Sequence, residues 1–319
     1  MRRIALGIAL LCAAAAALAQ AYPTRAIKFV VPFPPGGGVD IVARAVGDKL
    51  SPRLGQPIVI ENKPGGGTTI GTDAVAKSAP DGYTILISGI ASQAIVHHMN
   101  PNRPFDMQRD FAPVARVADG TIAFVVPASS RAASVLDFVA LAKREPGRMT
   151  FASSGTGGII HLTGEMFKQA AGIDLTHVPY KGTAQILPDI LDGRIDLALD
   201  SVPAYLTHIK SGKVKVFAVA SANRSALFPH LPTMAEAGVP GVVAATDYAL
   251  YAPAGTRKDI IARLARETAA ILEDTDLRAK LSAQAIEVRG GGPEALGAEL
   301  AAEIEKWGRV IRAANIKPE

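Results

Sequence analysis

Two glycine-rich segments carry the clearest chemistry in this sequence. The first is Pro32-Phe33-Pro34-Pro35-Gly36-Gly37-Gly38-Val39-Asp40, and the second is Phe151-Ala152-Ser153-Ser154-Gly155-Thr156-Gly157-Gly158. Each follows a short apolar run and precedes residues with helical spacing. Glycines leave backbone N–H groups uncovered, and a helix N-terminus adds a partial positive charge, so such a turn can hold an anion without a formal cation. Ligands of open α/β sheets bind at the carboxyl ends of strands, where both segments fall. In the second segment the Ser154 and Thr156 hydroxyls can also donate, and Gly155, Gly157 and Gly158 free further amides. Asp40, in the first turn of its helix, suits the dipole and caps local N–H groups. Taken singly, the first segment also fits a tight β–α turn with no ligand, and the second an N-capping turn. A pair, one in each half of the chain, is what a two-lobed clamp requires.

Other candidates are more ambiguous. Asn62-Lys63-Pro64-Gly65-Gly66-Gly67 reads as a turn first and a cleft wall second. Asp196 and Asp200 have a spacing that puts both on one face of a strand. Asp200, followed by Ser201, could meet a ligand amine or hydroxyl, or simply cap. His161 could face the cleft or pack on its helix. The six histidines are His97, His98, His161, His177, His208 and His230, and only the first two are adjacent. Neighbouring side chains diverge, so no metal site is expected. The sequence has no G-x-G-x-x-G opening the first helix, no phosphate-loop G-x-x-x-x-G-K-[ST], no G-x-S-x-G and no H-E-x-x-H. Neither a catalytic residue nor a cofactor is expected.

These turns need elements to hold them. Apolar runs at 27–31, 58–60, 84–87, 122–126, 149–152, 175–178, 195–199, 214–220 and 249–251 read as strands, several buried on both faces. Helical spacing joins Val39, Val42, Val46 and Leu50. It also joins Ile159, Leu162 and Met166, and then Leu296, Leu300, Ile304, Trp307 and Ile311 behind Pro293. Alternation of this kind predicts parallel sheets in an α/β architecture, and 319 residues suggest two domains.

At the start, Arg2 and Arg3 precede the apolar stretch 4–18, then small residues at Ala17-Leu18-Ala19 and Ala19-Gln20-Ala21. That order is a secretory signal peptide, with cleavage expected after Ala21. Cys12 is the only cysteine and lies inside it, so the mature chain is expected to carry no disulfide. Lys and Arg number 34 against 29 acidic residues, or 32 against 29 without Arg2 and Arg3. The small excess forms no basic block, and aromatics are 5 %, so nucleic acid is not an expected partner.

Together the motifs point to a family. Pro32-Phe33-x-Pro35-Gly36-Gly37-x-x-Asp40-x-x-Ala43-Arg44 resembles the first signature of the Bug (TctC-like) substrate-binding proteins of tripartite tricarboxylate transporters. Matches follow at Glu61-Asn62-Lys63-Pro64-Gly65 with Ile70-Gly71, Pro80-Asp81-Gly82-Tyr83-Thr84, Ser154-Gly155-Thr156-Gly157 and Val178-Pro179-Tyr180-Lys181-Gly182. Others are Gly193-Arg194-Ile195-Asp196, Pro232-Thr233-Met234-Ala235-Glu236-Ala237-Gly238, Ala252-Pro253-Ala254-Gly255-Thr256 and Trp307. The resemblance spans the mature chain. It implies a Venus-flytrap fold of type II topology with two crossovers, lobe one holding 22–122 and 247–319 and lobe two 123–246. It implies a carboxylate held by Phe33, Pro35, Gly36, Gly37, Ser154, Gly155, Thr156 and Gly157, a periplasmic monomer and a membrane permease as partner. A sensor component feeding a signalling receptor, or an enzyme acting on a carboxylic acid, are the alternatives. Two departures stand out. Asp247 occupies a place where relatives often carry Trp, and Gly66-Gly67-Thr68 stands for Ala-Gly-Gly. An acid near the hinge or cleft could select a ligand with an amine or hydroxyl, or be solvated.

Overall fold

The computed structural model describes residues 22–317, so the expected signal segment and Cys12 lie outside the described residues. Strand β1 (Ile27–Val31) is buried at every position but Lys28, as a strand covered on both faces must be. It pairs in parallel with β2 (Ile58–Asn62) on one side and β3 (Thr84–Ser88) on the other. Antiparallel β9 (Ala245–Pro253) joins β3, then β4 (Phe111–Pro127) joins β9, and β10 (Ile286–Gly291) pairs with β4. A second set repeats the plan. Strand β5 (Thr150–Ser153) lies between parallel β6 (Thr176–Pro179) and β7 (Leu197–Ser201), and β7 and β8 (Val214–Val219) both pair antiparallel with β4.

Helices α1 (Gly38–Leu54), α2 (Thr69–Ala76) and α3 (Ile90–Met99) follow β1, β2 and β3. In the second set α4 (Val135–Arg144) precedes β5, and α5 (Ile159–Ala171), α6 (Thr183–Leu191) and α7 (Leu206–Lys210) follow β5, β6 and β7. Helices α8 (Lys258–Ile271), α9 (Thr275–Ser282) and α10 (Pro293–Ala313) close the chain. Phe124 anchors the second core, with the rings of Phe138 and Phe167 edge-on at 5.2 and 5.1 Å. No helix of the described residues is long and apolar enough to cross a membrane.

The two sheets share β4, which pairs with β9 through Thr121 and with β7 from Ile122 onward. The chain returns at Ala244, whose N–H donates to Ala220 O at 2.8 Å just before β9 begins. A third link is α10, whose buried Trp307, Val310 and Ile311 sit in one cluster with Phe124 and Phe167 of the second set.

Most expected strands are present, with shifted ends. Strand β7 starts two residues after the expected 195, because the Asp196 carboxylate accepts from Thr150 N at 2.8 Å and from Thr150 Oγ1 at 3.1 Å. Asp196 and Asp200 therefore do not share a strand face. The expected run 122–126 is only the end of β4, and β10 has no counterpart among the expected strands.

Candidate functional site

Both glycine turns stand at switch points. The chain leaves β1 and comes back first on one side as β2, then on the other as β3, and β5 relates to β6 and β7 in the same way. The crevice outside such a strand is where doubly wound sheets place ligands.

In the first turn Gly36 takes φ +84, a left-handed conformation that glycine adopts without strain. Its N–H donates to Asp40 Oδ2 at 2.9 Å. Asp40 is buried, and Arg44 Nε and Asn62 Nδ2 donate to its two oxygens, each at 3.0 Å. Burial raises the Asp40 pKa, but the bonds from Arg44, Gly36 and Asn62 outweigh it and hold the carboxyl below its usual range. Asn62 Nδ2 also donates to Phe33 O at 3.1 Å, which fixes the loop before the turn. Asp40 thus braces the turn from beneath, and Arg44 is spent on the brace. The N–H groups of Gly37, Gly38 and Val39 donate to no described protein group, since the first bond of α1 is Ile41 N to Gly37 O. Pro35 has no N–H to give. A Cβ at Gly38 would collide with the Tyr248 hydroxyl, so β9 passes directly against this turn.

The second turn has the same design with a different brace. Gly157, at φ +73, donates its N–H to His161 Nδ1 at 3.0 Å. The acceptor again comes from four residues later, on the first turn of the helix. The Ser153 hydroxyl donates to Gly155 O at 3.0 Å and accepts from Gly155 N at 3.3 Å. The amides of Ser154, Thr156 and Gly158 have no described protein acceptor. Of the expected contacts, the amides of Gly36, Gly155 and Gly157 are therefore turned inward, and those of Gly37, Ser154 and Thr156 are free. Met99, the last residue of α3, abuts Gly157.

Asp200 lies near the carboxyl end of β7, which runs parallel beside β5 and so ends at the same edge of the sheet as the second turn. It is 1 % exposed and accepts from Ser201 N at 2.7 Å, Thr183 Oγ1 at 3.1 Å and Tyr205 Oη at 3.1 Å. Burial pushes its pKa up, and those three donors pull it down. All its described bonds are to protein groups of β7, α6 and the turn after β7. Next to the third glycine run, Gln93 Nε2 of α3 donates to Ser88 Oγ at 2.8 Å, to Thr72 Oγ1 at 3.0 Å and to Thr68 Oγ1, just after Gly67, at 3.3 Å. Asp247 is buried rather than solvated, and Ala91 N, in the first turn of α3, donates to its Oδ1 at 3.1 Å and Oδ2 at 3.2 Å. Among the described residues no group of His, Cys, Asp and Glu is arranged to hold a metal ion. A surface cavity of about 410 Å³, lined by Ser134, Leu136, Phe217 and Gly238 among others, shares no residue with either turn.

The family model for TctC, the tripartite tricarboxylate transporter family receptor, matches residues 42–316. The chain belongs to this family. Solved structures agree over nearly the whole chain. Rpa4515 of R. palustris, with adipate, is 36 % identical at a TM-score of 0.82, covering 93 % of this chain and 100 % of that one. The periplasmic binding protein BugD is 32 % identical at 0.79, with the same coverage. MatC (Rpa3494) from Rhodopseudomonas palustris, with bound malate, is 28 % identical at 0.77, covering 91 % and 100 %. The chain therefore has the α/β periplasmic binding protein fold, and TctC proteins are transport receptors, not enzymes. Sequence reasoning missed His177 and Asn62 as supports of the turns. Asn62 ends its strand, a position that could have signalled the role, whereas His177 is the second residue of β6 and carries no such signal.

Proposed function

We propose that this TctC-family protein is a periplasmic solute-binding protein that captures a small organic carboxylate and hands it to a tripartite-type membrane permease. The observation that carries this reading is the pair of braced turns, each at a switch strand and each with outward amides that meet no protein acceptor. The carboxylate is gripped by the N–H groups of Gly37, Gly38, Ser154 and Thr156 and by the Ser154 and Thr156 hydroxyls. Phe33 and Pro35 form the wall, Gly36, Gly155 and Gly157 form the frame, and Asp200 supports the second lobe from below. The lobes are 22–122 with 247–319, and 123–246. They close about β4 and the 244–246 segment, while α10 stays in contact with both. The protein works as a monomer. Adipate and malate in two relatives fit ligands of this class.

Ligand that binds only the native state raises stability by RT ln(1 + [L]/Kd), about 2.7 kcal/mol at 100 times Kd. Thermal unfolding against a panel of mono-, di- and tricarboxylates, with native mass spectrometry of the purified protein, should show a concentration-dependent rise in Tm and a co-purifying acid. A panel without any shift, together with a bare mass, would refute the assignment.

A further inference from the structure

We propose that His161 is the positioning residue of the second anion turn, and that its neutral imidazole, stacked on His177, makes this turn, unlike the first, come apart on protonation. The inference rests on the proposed use of the turn as an anion site. The geometry of the brace stands independently of that use.

His161 Nδ1 accepts the Gly157 N–H, so this nitrogen carries no proton and the ring is the Nε2–H tautomer. Its ring lies 3.8 Å from that of His177 at 16°, and His177 lies 4.9 Å from Phe151. His177 Nε2 is 2.7 Å from Ser153 Oγ. The single Ser153 hydroxyl hydrogen goes to Gly155 O, which leaves His177 Nε2–H as the donor to Ser153. Two imidazoles and a phenyl ring therefore form a ladder, and each imidazole holds one end of the turn.

A proton added to His161 Nδ1 would set two N–H donors face to face across 3.0 Å. It would also place a cation in the stack, and a second proton would place two cations 3.8 Å apart. The surroundings do little to offset this. Glu165 Oε1 is 3.9 Å from His161 Nε2, but Lys168 Nζ sits 3.2 Å from the same oxygen. Lys168 also pairs with Asp174 at 3.8 Å, ahead of β6. Strand β5 contributes only Phe151 and Ser153, and α3 only Met99, none of which titrates here. Burial first, then the cationic neighbours, bring both imidazoles down to about 4. The native state thus binds fewer protons than the unfolded chain. The stability held in the ladder is complete above the ordinary histidine range and is lost as the pH falls from about 6.5 towards about 4. The first turn has a carboxylate brace whose pKa is lowered, so it survives this window.

The test uses the full mature chain without ligand. Long-range ¹H–¹⁵N spectra of the imidazoles give tautomer and titration directly. They should show His161 and His177 as Nε2–H tautomers at neutral pH, still uncharged where free histidine is mostly protonated. Gly157 amide exchange, corrected for intrinsic rates, reads the brace. His161→Phe keeps a ring in the stack and removes the acceptor, and should raise Gly157 exchange about tenfold or more, with β5 amides unchanged. His161→Asn restores an acceptor that does not titrate. It should recover the protection and keep it in acid, where the wild type loses it. A proton on His161 Nδ1 at neutral pH overturns the proposal on the wild type alone, even if a variant fails to fold. Gly157 exchange equal in wild type and His161→Phe also overturns it. None of these readouts involves an acid ligand, so failure of the carboxylate assignment would show separately.

Discussion

Gly37→Asp should weaken carboxylate capture about 100-fold or more while leaving the protein as stable as before. Gly37 is the N-cap of α1 with φ −77, a conformation open to any residue, and a Cβ there meets only Pro34 O at 3.7 Å. Aspartate is a favoured N-cap residue and glycine falls only a few tenths of a kcal/mol short of it, so the helix is at least as stable as before. Its carboxylate would fold onto the N–H groups of Val39 and Asp40, and so set a negative charge beside the Gly37 and Gly38 donors that the ligand needs. Two carboxylates about 4 Å apart near a protein surface repel by about 4 kcal/mol at an effective dielectric of about 20. A loss of about 100-fold or more in affinity is therefore expected, equivalent to about 2.7 kcal/mol. Titration calorimetry with the co-purified acid measures the loss, and thermal unfolding without ligand checks that Tm has not fallen. Gly37→Asn, equal in shape and uncharged, should lose far less. Equal losses in the two variants would mean that bulk, and not charge, disrupts the site.

Asp247→Asn should stabilise the protein increasingly as the pH rises. Asp247 is 6 % exposed, and its described hydrogen bonds come only from Ala91 N. Burial, followed by repulsion from Glu303, raises its pKa to about 8. The folded value exceeds the unfolded one, so the native state keeps a proton that the unfolded chain has released. Stability accordingly falls between the ordinary Asp range near 3.8 and about 8, then levels off. Asparagine keeps an oxygen for Ala91 N and cannot ionise. At about one decade of pH per 1.4 kcal/mol, discounted for relaxation of the site, the gain should be near zero at pH 4 and on the order of 2–4 kcal/mol at pH 8. Chemical denaturation at both pH values measures it. Parallel stability profiles for the two proteins would show that Asp247 is already ionised in the fold. The same burial removes the idea of a solvated acid at this position, where the resemblance leads one to expect Trp.

Much of the fold can be read from the sequence because its central strands are apolar on both faces. β1 and α1 emerge from unbroken runs and 3.6-residue spacing. The parts that cannot be read are those whose pattern tertiary pairing overrides. The first half of β4 carries Pro113, Arg116, Asp119 and Gly120, and its ladder with β9 shifts register twice. Bulges of this kind erase the two-residue alternation that marks a strand. β10 ends in Gly290 and Gly291 and has the polar Glu287 and Arg289 within it, so composition points to a turn. At the site, both turns are visible as glycine runs. Their braces are less so, because the i to i+4 relation of Gly36 to Asp40 and of Gly157 to His161 has meaning only once a helix starts between them. Asp200 is a case in which the neighbours of a side chain are hidden from the sequence. A carboxylate at a strand end looks available in one dimension, yet Thr183, Ser201 and Tyr205 enclose it.

Backbone amides of the two turns, followed by NMR during titration with the acid that co-purifies, offer the most direct test of a shared grip. The N–H signals of Gly37 and Gly38 and those of Ser154 and Thr156 should shift together and fit one dissociation constant, with Gly36 and Gly157 remaining bonded to Asp40 and His161. Shifts confined to one turn, or centred on the cavity beside Leu136 and Phe217, would contradict a carboxylate bridged between two helix N-termini.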